Sequence, residues 1–211
     1  MESYKYDIKL NMNKLLVIID CGHGENTPGK RSPDSSLMEW KWNREMGMLI
    51  YRRLNEIGIA AHLLVPEDKD ISLASRCQRA NTIYDNFKKQ GYDCLYLSVH
   101  VNAAAGSGWH NASGCSVYCY TSGSDKSKRA AKIYTDLSKK MGLTGNRSIP
   151  SQGYYTANFY VLKNTNMAAI LVEHMFMDNK KDVEYLLSES GKKELLKWHE
   201  NSILEYINTL S

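Results

Sequence analysis

Leu15-Leu16-Val17-Ile18-Ile19-Asp20, followed by Cys21-Gly22-His23-Gly24, is the stretch that decides the fold. Its first five residues form an unbroken apolar run, closed by an aspartate and then halted by two glycines. A continuous apolar run, as opposed to strict alternation, marks a strand buried on both faces, and such strands belong to parallel sheets covered by helices. The segment from Cys21 to about Leu37 carries Pro28, Gly29 and Pro33 among small polar residues, so it reads as an exposed loop.

The pattern repeats outward from this strand. Met38 to Leu54 places Trp42, Met46, Leu49, Ile50 and Leu54 on one helical face, and Gly58 ends it. Ile59 to Val65 reads as a second strand, and Asp70 to Gly91 as a helix with Leu73, Cys77, Ala80 and Ile83 or Tyr84 turned inward. Cys94 to Val101 is a third strand, with His100 at its end. Cys115 to Tyr120 reads as an exposed edge strand, Lys126 to Met141 as a helix, and Gly142 to Thr156 as a loop. Tyr160 to Leu162 is expected to be a short strand and Met167 to Glu173 a buried one. Asp182 to Leu210 forms one or two helices broken near Gly191. Strands separated by helix-length segments predict an α/β fold: a single-domain, three-layer structure with a mostly parallel or mixed sheet and helices on both faces. Residues 1–13 are polar and unpatterned and read as an N-terminal arm, leaving 14–211 as the one folded domain.

A chain of 211 residues suits one such domain. The net charge of +4 is spread through runs such as Lys126-Ser127-Lys128-Arg129, which fit solvated helix faces; no nucleic acid is expected as a partner. Five cysteines without a CxxC pair leave an odd thiol whatever the pairing, which argues against a disulfide framework. The opening Met-Glu-Ser-Tyr-Lys-Tyr-Asp lacks the apolar core of a secretory signal, and no apolar run approaches the roughly 20 residues of a membrane span. The reading is a monomer, made in the cytoplasm without a signal peptide and without a membrane span.

Three residues capable of metal or proton chemistry fall at strand ends: His23, His100 and Glu173. In an open α/β sheet the crevice beyond those ends is where ligands bind. Glu39, near the start of the first helix, is placed to turn toward the same crevice. Two imidazoles and a carboxylate are a common catalytic zinc set with a coordination position left open, and His23, Glu39 and His100 supply one, although Glu25 and Glu45 compete for the carboxylate place. Glu173 is the candidate base. Gly22-His23-Gly24 lacks the spacing and the lysine of a phosphate-cradling loop, and Cys21 reads as an inert buried thiol. Trp40 is placed near the metal; Trp109, Tyr154 and Tyr155 lie in expected loops where they suit stacking on sugar or contact with peptide.

Taken together, Val17 to Gly24, Glu39 with Asn43, Leu97-Ser98-Val99-His100-Val101-Asn102-Ala103, and Ile170 to Asn179 resemble the third type of zinc-dependent N-acetylmuramoyl-L-alanine amidase, from about residue 15 to 209. The resemblance implies that His23, Glu39 and His100 hold one Zn(2+) per chain and that Glu173 is the catalytic glutamate. It further implies that Asn102 is the loop asparagine beside the second histidine and that Arg79-Ala80-Asn81 is a helix segment supporting the site. Met175 stands where the family often has glycine, and it is expected to narrow the crevice floor. The implied substrate is bacterial peptidoglycan, cut between N-acetylmuramic acid and L-alanine, reached after lysis-associated or holin-dependent release. A zinc peptidase cutting within the stem peptide and a non-catalytic wall-binding or regulatory protein on the same scaffold are the alternatives.

Overall fold

The structure, a computed structural model, describes residues 14–210, so the expected arm at 1–13 lies outside the described residues. Six strands and six helices follow in the order β1 (Leu15–Cys21), α1 (Glu39–Glu56), β2 (Ala60–Leu63), α2 (Leu73–Lys88), β3 (Asp93–Asn102), β4 (Ser116–Tyr120), α3 (Asp125–Lys140), β5 (Tyr155–Ala157), α4 (Tyr160–Lys163), β6 (Ala168–Phe176), α5 (Lys180–Leu187) and α6 (Glu189–Ile207). The strands make one sheet in the order β2-β1-β3-β6-β4-β5. β2, β1, β3 and β6 are mutually parallel, β4 is antiparallel to β6, and β5 is parallel to β4. The sheet is therefore mixed, as expected.

Strand alternation sorts the core into two layers. Val17, Ile19, Leu95, Leu97, Ile170 and Val172 face α1, α3, α5 and α6, packing on Met46, Ile50, Tyr134 and Trp198. Leu16, Ile18, Tyr96, Ala169 and Leu171 face the other way, onto Cys77 and Ala80 of α2 and Val161 and Leu162 of α4. Trp198 is fully buried, with its indole N–H donating to the Tyr134 carbonyl at 2.9 Å; truncating such a side chain typically costs about 3–5 kcal/mol. The second layer is the thinner one, because α2 and α4 are its only described helices. On that face Arg76 of α2 covers the carboxyl end of β1, bonding Asp20 and the Cys21 carbonyl.

Four local expectations differ from the structure. β4 is interior, because the segment read as a loop contributes β5, which pairs with it as Tyr118↔Tyr155 to Tyr120↔Ala157; three residues are too few to register as periodicity. Tyr160–Lys163 is a helical turn, with Val161 and Leu162 buried against α2 and β6; an apolar run this short fits either state. The break in the last segment is at Ser188, not Gly191. Ser188 ends α5 and caps α6, its hydroxyl accepting the Gly191 N–H at 3.0 Å. Leu73 is 51% exposed, and the inward position one turn into α2 belongs to Arg76.

Candidate metal centre and active site

β1 delivers His23 two residues past its end, in the left-handed region at φ 61°. A non-glycine residue adopts this backbone only when its surroundings hold it there, and two arginines do so. The His23 carbonyl accepts from Arg44 Nη2 at 2.9 Å and from Arg76 Nη2 at 3.1 Å. The Gly22 carbonyl accepts from Asn43 Nδ2 at 3.1 Å, and the Cys21 carbonyl from Arg76 Nη1 at 2.6 Å. Gly22 has no room for a side chain, since a Cβ there would lie 2.2 Å from the His100 ring. The glycine is what lets the two histidines come together, with ring centroids 4.9 Å apart and planes at 88°.

Glu39 opens α1, yet its carboxylate does not serve the helix dipole. Oε1 accepts from the Val101 N–H at 3.0 Å and lies 3.2 Å from His100 Nδ1. Oε2 is buried 3.4 Å from His23 Nε2 and makes no hydrogen bond. Ligand atoms of His23, Glu39 and His100 all lie within 4.8 Å of one another. Burial opposes the charge on Glu39, but the adjacent imidazoles of His100 and then His23 outweigh it and hold the carboxyl well below its ordinary range. An anionic oxygen without a hydrogen bond, facing two imidazoles, fits a divalent cation, and the nitrogen-rich set favours zinc or a neighbouring transition metal over calcium or magnesium. Glu25 and Glu45, the competing carboxylates, are both exposed, and Glu45 pairs with Lys192.

Glu173 lies beside this cluster by strand register. It pairs with His100 of β3 on one side and Ser116 of β4 on the other, so the three share a row across the sheet. β6 runs on to Phe176, three residues beyond the expected end, and Glu173 Oε2 is buried without a hydrogen-bond partner. Burial, reinforced by the negative charge of Glu39, pushes the Glu173 carboxyl up to about 7, while His100, Lys30 and Arg147 pull the other way. A carboxyl poised near neutrality is suited to accept and return a proton.

The remaining expected residues are placed unevenly. Trp40 is half-buried next to Glu39 under the Arg44 guanidinium, 5.5 Å from its ring. Asn102 ends β3, its side chain accepting from the Ala103 N–H and its carbonyl from the Met177 N–H. Trp109 lies beneath Lys180 in a hollow of about 410 Å³ with His110 and Asn179. Tyr154 packs on the larger core layer. Arg79 makes its ion pair with Glu67 and reaches the Leu64 carbonyl; the arginine of α2 that touches the His23 loop is Arg76. The spacing held a clue, since Arg76 is four residues before the inward-facing Ala80. Met175 is buried in the larger core layer at φ 57°, so its side chain does not form the crevice floor. The positive φ gives a physical reason for glycine at this position.

A profile of the N-acetylmuramoyl-L-alanine amidase family matches residues 17–205. The chain is 27% identical over 201 residues to an endolysin of Bacillus phage SPP1, covering 92% of this chain and 66% of that protein. It is 27% identical over 195 residues to the N-acetylmuramoyl-L-alanine amidase CwlM of Bacillus licheniformis, covering 91% and 68%. The chain thus spans about two thirds of the length of these relatives. The crystal structure of an N-acetylmuramoyl-L-alanine amidase from Clostridium difficile 630 superposes with a TM-score of 0.79 at 24% identity, covering 94% of this chain and all of that one, which places the sheet and its helices in the same fold. With the profile spanning nearly every described element, from β1 to α6, the chain belongs to the N-acetylmuramoyl-L-alanine amidase family.

Proposed function

We propose that this chain hydrolyses the amide between N-acetylmuramic acid and L-alanine in peptidoglycan, with His23, Glu39 and His100 as zinc ligands and Glu173 as the proton-transfer residue. The observation that carries the reading is the row placing Glu173 next to His100 on adjacent strands, with an unpartnered carboxylate oxygen beside the cluster. Zinc held there would polarise the amide carbonyl and acidify water. Glu39 supplies the negative charge that balances the cation, and its bonds to Val101 and His100 fix its orientation. Arg44, Arg76 and Asn43 hold the His23 loop by its carbonyls. Glu173 takes the proton from the attacking water and returns it to the departing L-alanine nitrogen, a cycle that needs a carboxyl titrating near neutral pH. The site opens on the cell wall as substrate once the protein is released, and similarity to an endolysin supports release with lysis.

The test compares native protein with Glu173→Ala for zinc content and for release of stem peptides from purified peptidoglycan. About one zinc per chain in both, with peptides beginning in L-alanine released by the native protein alone, is the expected result. Native protein that binds no zinc and releases nothing overturns the assignment.

A further inference from the structure

Beyond the zinc ligands and Glu173, Arg147 is a cation of the cleft that makes no ion pair among the described residues. Arg147 lies in the α3–β5 loop with its guanidinium carbon 5.4 Å from the centre of the Tyr155 ring and 5.2 Å from that of Phe176. Two ring contacts hold the planar group while leaving its edge free for an acceptor. Among the described residues no carboxylate lies within ion-pair distance of it, and its Nε is buried without a partner. Its charge nevertheless acts on Glu173 and on Tyr118, which places it on the β6–β4–β5 side of the crevice. Tyr118 and Tyr155 are register partners with ring centroids 5.2 Å apart, and Phe176 is three residues beyond Glu173 on β6.

The loop that carries Arg147 is fixed at several points. The Arg147 N–H donates to the Thr144 carbonyl at 3.0 Å. Asn146 donates from Nδ2 to the Asn111 carbonyl at 2.7 Å and accepts the Ser113 N–H at 2.9 Å. The Tyr155 hydroxyl donates to the Ser148 carbonyl at 2.8 Å. A guanidinium held this way loses little freedom when an anion arrives, and a buried donor without an acceptor is costly unless a ligand supplies one. Lys30 also acts on Glu173, but its side chain has no described ring contact or ion pair to hold it.

We propose that Arg147 anchors a carboxylate of the peptide stem, namely the free α-carboxylate of the glutamyl residue following L-alanine, and so makes the enzyme discriminate against stems in which that group is a carboxamide. This rests on the amidase reading for the identity of the substrate. Because the anchored group is one residue from the scissile amide, the pairing would also set the depth at which that amide enters the site. Arginine suits the role by its forked, bidentate match to a carboxylate, which a carboxamide cannot reproduce.

The test uses two N-acetylmuramoyl tripeptides that differ only in carboxylate or carboxamide at the second residue. Binding is measured by calorimetry to zinc-loaded Glu173→Gln protein, which binds without turnover, and hydrolysis is measured with the native protein. The carboxylate ligand is expected to bind roughly tenfold to a hundredfold more tightly, the range of a charge-assisted hydrogen bond. Adding Arg147→Gln should reduce that preference to about twofold or less by weakening the carboxylate ligand alone, whereas Arg147→Lys should keep part of it. Equal binding of the two ligands, or a preference that survives Arg147→Gln, overturns the proposal. An Arg147-dependent preference in a protein that hydrolyses neither ligand keeps the anchor and removes the amidase reading. Near-UV circular dichroism of the variants confirms that a lost preference is not lost folding.

Discussion

Nε2 of His174 lies 2.7 Å from Nε2 of His199, and only one arrangement of protons satisfies both rings. His174 Nδ1 is 2.8 Å from the His100 carbonyl, which only accepts, so Nδ1 carries the proton and His174 Nε2 must accept. His199 therefore donates from Nε2, and its Nδ1 accepts from the Tyr134 hydroxyl at 3.2 Å. A chain of donors thus runs from α3 through α6 and β6 to the backbone of a metal-ligand candidate. Both rings must be neutral, and burial lowers both, His174 to about 4.

Nitrogen NMR is expected to show the Nδ1–H tautomer at His174 and the Nε2–H tautomer at His199, with neither ring protonated at pH 5.5. The linkage follows from the depressed values: an unfolded histidine gains its proton near pH 6.5 and the folded His174 only near 4. This pair therefore contributes stability that is full above pH 6.5 and falls as the pH drops toward 4. Tyr134→Phe strands His199 Nδ1 and should cost about 1–3 kcal/mol. A protonated ring at pH 5.5 would refute the chain.

Arg76 is the second buried device, pairing with Asp20 at 2.6 Å while bonding the Cys21 and His23 carbonyls. Arg76→Met leaves the buried Asp20 without its counter-charge, although the Ser98 hydroxyl stays at 2.7 Å, and should destabilise the protein by about 3–5 kcal/mol. The His23 loop loses two of its ties, so zinc affinity should fall as well. Arg79→Met, at a half-exposed pair, should change stability by about 1 kcal/mol or less. Urea titrations and zinc competition on both variants measure the contrast; equal effects would contradict the role given to Arg76.

Glu173→Gln should stabilise the metal-free protein in a pH-dependent way. The folded carboxyl titrates near 7 and the unfolded one near 4.5, so between these values the folded state holds the extra proton and native stability falls as the pH rises. Glutamine does not titrate. The variant's advantage should be small below pH 4.5 and reach about 3 kcal/mol above pH 7. A pH-independent difference between the two proteins would mean that Glu173 titrates as it does in water.

Chelation should abolish activity without unfolding the sheet, because the two core layers are apolar and lie below the ligand cluster. Readdition of zinc to about a hundredfold over its dissociation constant should restore stability by about 2.7 kcal/mol. The readouts are far-UV circular dichroism, expected unchanged on chelation, and a melting temperature that rises with zinc. Global unfolding on chelation would show that the metal also holds the fold.

The sequence alone determined the elements whose periodicity is long and the residues that end them. Buried β-branched runs such as Leu15–Asp20, bounded by glycines, read as strands, and parallel strands carry the residues near their carboxyl ends to one edge, so His23, His100 and Glu173 are legible as a group in the sequence. Tertiary structure decided what local pattern does not encode. β5 and α4 are three and four residues long, and their state depends on the partner they pack against. The choice of Arg76 over Arg79 depended on which side of α2 meets the His23 loop, a matter of helix rotation and of Asp20 needing a buried counter-charge. Arg147 carries no signal at all in one dimension, because what sets it apart is that no carboxylate among the described residues lies within ion-pair distance of it. Its isolation follows from how the α3–β5 loop is tied back over β6, and only the folded chain brings those segments together.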